Sequence, residues 1–439
     1  MQKNAPFNGS ACPEPVRWLF DQSMMWMDAR WSESSGLLDG YAYDFNHIRG
    51  TVWYATGLLM RGHVPDMVRA QRALETLLSY QWTDPAKANF GDWARTPLEF
   101  RSQPEVPVEA KHFDPNWREF IACTLILLLR RYGSVLPVPL VSRIHEAIRR
   151  AAEGSHRRRV WALYSNIAIL SAFLMDWAGA EYGMPEWREH AERLSLETFT
   201  HFSLTSAFPE HNSPTYYGVD FFGLALMRSL GVSEFIRQRG ADMEAALWRD
   251  MALFYHAGMR NFCGPWSRSY GADMTRYFAL AGVWISQAVD TVAQIPLPDP
   301  ARPFGHEHDM VMVPPILLLG AVVPPEVLPV LKSFPGERTV EKIICRDPYR
   351  VVTAWLSERL MIGAETDIPN GSVYTDYRDP MTFHWRVGAS VAYGRVRAKM
   401  PMRATASAHA AQAEFFPKDD MPSEARRVAV ELSAPGLSA

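Results

Sequence analysis

Cysteine is scarce in this chain. Four occur among 439 residues, as Cys12, Cys123, Cys263 and Cys345, and no two form a CxxC pair. That spacing excludes a disulfide framework and a zinc site built on cysteines. Cys123, inside the apolar run "FIACTLILLLRR", is expected to pack as a small hydrophobe. No apolar run is long enough to span a bilayer, since "IACTLILLL" stops at Arg130 and Arg131. An excess of positive charge is also missing. The formal net charge is -3, which argues against a nucleic-acid partner, and the short basic run Arg157, Arg158 and Arg159 reads as a solvated helix end. No repeat of about 34–45 residues is visible, which argues against a solenoid that binds a protein partner. The only Asp-Asp pair, Asp419-Asp420, lies in the tail, so the aspartate-rich helix of a terpene synthase is absent. The opening segment "MQKNAPFNGSACPEP" has no apolar stretch of the signal-peptide kind. A soluble, non-membrane chain is expected, cytoplasmic, or secreted if a leader has been removed.

What is present is a globular composition, 48% hydrophobic and 21% charged. The many aromatic residues suit a large core and equally a sugar-binding cleft. From about residue 14 to about 290, apolar residues recur at spacings of three and four. In "RALETLLSYQW", Leu74, Leu77, Leu78 and Trp82 share one face. "NWREFIACTLILLLRRYG" is closed by Gly133. Asp114-Pro115 and Ser213-Pro214 each put an N-cap oxygen before a proline at the first helical position. Roughly a dozen helical segments follow, joined by polar, proline-containing loops. Antiparallel pairs of them must bury these faces, in a ring of hairpins or in an α-solenoid. After about residue 300 the pattern changes. "IPLPDPARPFGHEHDMVMVPP" is a crossing segment, and "RTVEKIICRD", "RVVTAWLSERLMIGAE" and "SVAYGRVRA" read as strands. Asn370-Gly371 signals a hairpin. The tail beyond about residue 400 is expected to be loosely ordered. The expected fold is mainly α, an (α/α) toroid of antiparallel helix hairpins over 1–305, followed by a linker, a short antiparallel β domain and a tail over 306–439.

Several loops carry more polar chemistry than a turn requires. In "FPEHNSPTYYGVD", Ser213 and Pro214 place His211 and Asn212 just outside a helix N-terminus. Unpaired N–H groups and the helix dipole favour an anion there. Tyr216 and Tyr217 follow in the first turn. The plainer alternative is a capping loop whose aromatics pack inward. In "CGPWSRSYGADMTRY", Tyr270 lies between Ser269 and Gly271, with Arg268 two residues earlier; alternatively Arg268 pairs with Asp273 to fix the loop. "FGHEHDM" offers His306, Glu307, His308 and Asp309. Two histidines one residue apart can ligate a metal, but no third ligand is obvious, so neither metal nor cofactor is expected. His308 is the better candidate for a loop histidine over a cleft. "YAYDFNHIRGTVWYATG" holds Asp44, Asn46, His47 and Arg49. "KHFDPNWREF" holds His112, Asn116, Trp117 and Arg118, and "YSNIAIL" holds Tyr164 and Asn166. In a toroid, alternate helix starts gather on one rim, so His47, Trp117 and Asn166 are candidate substrate contacts. "TFHWR" adds His384 and Trp385.

A helical toroid followed by an antiparallel β domain resembles the polysaccharide lyases of the heparinase, chondroitin-lyase and alginate-lyase type. At motif level the resemblance rests on "EHNSPTYYG", "SRSYG" and "HEHD". Two features depart from it. The β portion is shorter, and Arg268 replaces the first glycine of the Gly-Ser-Tyr-type loop. The resemblance implies β-elimination on a uronate-containing polysaccharide or oligosaccharide. That reaction needs a neutraliser for the uronate carboxylate, a base for the C5 proton and an acid for the leaving O4. It implies Asn212 as neutraliser, His211 or Tyr270 as base, Tyr270 as acid, and His308 as a helper. Tyr216, Tyr217 and Arg268 would contact substrate. A glycoside hydrolase of the (α/α)-barrel type is the alternative, with two carboxyl groups drawn from Glu210, Asp220, Asp273 and Asp44. A non-catalytic helical scaffold binding carbohydrate or protein is the third reading.

Overall fold

The computed structural model describes residues 12–39, 47–102, 113–367, 378–398, 400–417 and 423–434. It is about half helical, with thirteen α-helices among the described residues and a separate antiparallel sheet. The chain divides into two compact units, each drawn from three stretches. The first is Met1–Thr198, Phe222–Ala241 and His308–Gly320; the second is Phe199–Phe221, Asp242–Glu307 and Ala321–Ala439. A single boundary near 305 was expected. One crossing does fall there, but the sheet shares its unit with two earlier stretches of the chain.

In the first unit, helix His47–Arg61 packs on Val64–Ser79 and on Trp117–Tyr132, which packs in turn on Val138–Arg158 and Ser165–Glu181. The apolar face expected around residues 74–82 is buried: Leu74, Leu77, Leu78 and Trp82 all lie in the core. Cys123 is also buried and packs as a small hydrophobe, its thiol against Leu170 O at 3.4 Å. None of the helices is long and apolar enough, among the described residues, to cross a membrane.

Asp114 and Ser213 each accept a backbone N–H, but in the approach turn and not at an N-cap, because the helices begin later than expected. Asp114 Oδ1 accepts from Asn116 N–H at 3.0 Å, and its helix opens at Trp117. Ser213 Oγ accepts from Tyr216 N–H at 3.1 Å, ahead of helix Tyr216–Leu230. Both prolines therefore belong to the approach turn and not to the first helical turn.

The second unit is built on an eight-stranded sheet. Its strands are β1 Arg338–Arg346, β2 Tyr349–Leu356, β3 Leu360–Asp367, β4 Met381–Val387, β5 Ser390–Ala398, β6 Met402–Ser407, β7 Ala410–Phe415 and β8 Val428–Ser433. The order is β7-β6-β3-β4-β5-β8, with β2 also paired to β3, and β1 paired to β2. The strands expected over 338–398 are present. The described part of the tail is not loose: β6, β7 and β8 pair in regular antiparallel register. In β6 and β7 the alternation is carried largely by alanine, a weak signal next to β-branched runs. Asn370-Gly371 lies outside the described residues.

Period-two alternation splits the sheet into two apolar faces. One carries Val340, Ile344, Val352, Ala354, Leu356 and Met361, packed with Phe254, Met259 and Cys263. The other carries Trp355, Ile362, Ala364, Met381, Val396 and Met402. On the first face the 263–267 segment lies directly on the strands. Gly264 N–H donates to Thr382 Oγ1 at 2.9 Å, and Trp266 exchanges two backbone bonds with Asp379, each 3.0 Å. Gly363 permits this approach, since a Cβ there would sit 1.7 Å from Gly264 O.

Candidate functional site

The docked 263–267 segment runs straight into Arg268, Ser269 and Tyr270, and so fixes where they project. Arg268 Nε donates to Tyr270 Oη at 2.9 Å, and its guanidinium lies 4.1 Å over the Tyr216 ring. The Tyr216 and Tyr270 hydroxyls are 3.3 Å apart, with their rings stacked at 5.9 Å. The imidazole of His306 lies against Tyr270, with centroids 4.8 Å apart. All four side chains are half-buried. They arrive from the 213–216 turn, the 268–271 loop and a third loop at 305–306. Gly305 N–H bonds Arg276 O at 3.0 Å, and Phe278 N–H bonds Gly305 O at 2.9 Å. This places His306, at φ 59°, beside the tyrosines.

Beneath this layer lies a network of buried charges. Tyr217 Oη donates to Asp250 Oδ2 at 2.5 Å, Lys342 Nζ bonds Asp250 Oδ1, and His211 Nε2 stands 3.7 Å from Asp250 Oδ2. Burial raises the Asp250 pKa, but Lys342 and His211 outweigh it and hold the carboxyl at about 2. Burial keeps His211 below the ordinary imidazole range, with Asp250 opposing. Arg350 Nε donates to Glu365 Oε1 at 2.7 Å, and Arg350 Nη2 to Ser267 Oγ at 2.8 Å; Arg378 Nη1 lies 3.7 Å from the same Glu365 oxygen. Burial raises Glu365, and the two arginines more than reverse it. Asp220 and Glu210 are both fully buried. Burial pushes the Asp220 carboxyl well up, and the Glu210 charge pushes it further. For Arg268, burial opposes the charge, but Tyr216, Tyr270 and Glu210 hold the guanidinium above its usual range.

Of the residues expected at the site, Tyr216, Arg268 and Tyr270 come together. Arg268 bonds Tyr270, whereas Asp273 accepts from Asn261 Nδ2 at 2.9 Å and from Thr275 and lies 3.3 Å from Arg276 Nε. Asn212 is different from the expectation. It sits at φ 54°, and its amide donates to Cys263 O at 2.7 Å and Pro265 O at 3.0 Å. Both N–H groups are thus spent on tying two loops together. His211 and Tyr217 are fully buried and face Asp250 instead of the tyrosine layer.

His308 belongs to the first unit, with Nε2 3.7 Å from Asp309; the histidine beside Tyr270 is His306. Trp117 and Asn166 are buried in the first unit, and Arg49 covers the Trp117 ring at 4.9 Å. His47 opens its helix, while Asp44, Asn46 and His112 lie outside the described residues, as do Asp419 and Asp420. His384 is buried in the second unit, 2.6 Å from Ala272 O.

Lys342, Arg350 and Glu365 were not anticipated, although a signal existed. Each occupies an inward position of its strand, at the parity of Val340 and Ile344, of Val352 and Ala354, and of Met361. A charged residue in phase with buried neighbours asks for a buried partner.

The model of a family described as a domain of unknown function, DUF8769, matches residues 17–321. The chain belongs to that family. No curated protein matches it. The DUF8769 span contains Tyr216, Asp250, Arg268, Tyr270 and His306. It ends before β1, so Lys342, Arg350 and Glu365 are supplied from beyond the DUF8769 match.

Proposed function

We propose that this protein is a polysaccharide or oligosaccharide lyase that cleaves uronic-acid glycosides by β-elimination. The observation that carries the reading is the 2.9 Å bond from Arg268 to the Tyr270 hydroxyl. It sets a fixed positive charge beside a phenol in a half-buried aromatic layer. Arg268 takes the neutralising role first given to Asn212, since a guanidinium matches a carboxylate edge to edge. Tyr270 takes the C5 proton and returns a proton to the leaving O4, while Tyr216 and His306 orient it and the sugar ring. With this reading goes the expected (α/α) toroid of antiparallel helix hairpins.

The test is ultraviolet absorbance during incubation with a panel of uronate polysaccharides. Elimination leaves a C4=C5 double bond conjugated to the carboxylate, which absorbs. A rising signal lost in Tyr270→Phe supports the reading; no signal across the panel counts against it.

The buried carboxyl pair favours a second reading, a glycoside hydrolase. Asp220, its carboxyl pushed up by burial and by the Glu210 charge, has the character of a general acid paired with a carboxylate. New reducing ends without absorbance, lost in Glu210→Gln, would select it.

A further inference from the structure

Away from that site, a cluster in the first unit has more hydrogen-bond donors than acceptors. His156 lies in the last turn of helix Val138–Arg158, and His190 in helix Pro185–Ser203. Their Nδ1 atoms are 3.3 Å apart. Arg159 spans both rings, with Nη1 3.0 Å from His190 Nδ1 and Nη2 3.1 Å from His156 Nε2. A guanidinium only donates, so both of those ring nitrogens carry lone pairs. His190 is then protonated on Nε2 and His156 on Nδ1. The His156 Nδ1–H also points at His190 Nδ1. Three N–H donors meet two lone pairs, and the cluster is one acceptor short.

Charge runs the same way. Among the described residues Arg159 forms no ion pair, and Arg193 is exposed one turn beyond His190. Burial lowers both imidazoles, and Arg159 and Arg193 lower them further, His190 to about 4; Glu153 and Glu186 oppose this at His156. The backbone of Arg159 is left-handed, at φ 55° and ψ 60°, in the position past a helix end that glycine fills at least cost. An arginine there carries backbone strain that glycine would not.

We propose that Arg159, His156 and His190 form a binding site for a tetrahedral oxyanion, a phosphate or sulfate group. The anion oxygens supply the missing acceptor, and the planar fork of Arg159 meets two of them. An imidazole that gains a proton turns from acceptor to donor, so binding takes up a proton and tightens as pH falls.

The test is calorimetric titration of the full-length protein with inorganic phosphate, with sulfate, and with a sulfated disaccharide. Sulfate does not itself titrate near neutrality, so it reports the pH dependence, measured at about pH 6 and pH 8 in two buffers of different ionisation enthalpy. The expected result is proton uptake and roughly tenfold tighter sulfate binding at the lower pH. Arg159→Gly suits the left-handed backbone, so its unfolding midpoint is expected to hold or rise while affinity drops at least about tenfold. Equal affinity for free ions and the disaccharide identifies a free oxyanion; a strong preference for the disaccharide identifies a sulfate ester. Absence of binding by all three ligands, or equal binding by Arg159→Gly, overturns the proposal. Neither outcome bears on the lyase reading, which uses none of these residues.

Discussion

Substituting Asn212 by alanine removes the two bonds to the Cys263 and Pro265 carbonyls and leaves both acceptors buried. A loss of about 2–4 kcal/mol in denaturant unfolding is expected. Tyr270→Phe should instead unfold normally and lose about 10²–10⁴-fold in elimination rate. Asp220 gives a pH signature. A carboxyl whose folded pKa is raised contributes stability that is full below its unfolded value of 3.8 and is lost as pH rises through the folded value. Asp220→Asn should therefore gain on the wild type in thermal midpoint as pH rises from about 4 to about 8; a difference that stays flat with pH would show that Asp220 is not held protonated. At this scale the sequence was legible where the chemistry is local. Arg268 and Tyr270 share one short loop, and Tyr216 follows the Ser213-Pro214 turn. The two carbonyls that hold the Asn212 amide were not legible, because they lie 51 and 53 residues away and no helix-cap pattern announces a positive φ there. His306 was passed over for His308, although the Gly305 backbone bonds to Arg276 and Phe278 hold it beside Tyr270.

Elements were legible where periodicity was strong. The helices around Leu74 and Cys123 and the strands from Arg338 to Ala398 follow their patterns, whereas alanine-rich β6 and β7 hid theirs. The contacts between elements carry sharper expectations. Gly363→Ala places a methyl into the Gly264 carbonyl and should cost about 3 kcal/mol or more, read from the urea midpoint. Lys342→Met leaves Asp250 buried without its cation, a loss of about 3–5 kcal/mol; adding Asp250→Asn should recover most of it. In the wild type, the Asp250 contribution is present above its unfolded value of 3.8 and is lost as pH falls toward about 2. Acid unfolding of Lys342→Met should accordingly be less steep over that window.

The whole molecule was the least legible, because the division into interleaved stretches depends on contacts far apart in sequence. Helical and β regimes were distinguishable, but nothing in either indicates that residues 199–221 and 242–307 fold with the sheet. A chain ended at residue 321, where the family match stops, should leave Phe254, Met259 and Cys263 uncovered and bind a hydrophobic dye far more strongly than the full chain. The same arrangement has a consequence on the ribosome. Phe254 and Cys263 are synthesised well before Val352, Leu356 and Met361, which cover them. At about 5–20 residues per second, that gap of roughly 100 residues lasts on the order of 5–20 s. Through that interval the second unit has no sheet to close against, so its helical part must be shielded by chaperones or by transient non-native packing until the last stretch of chain emerges.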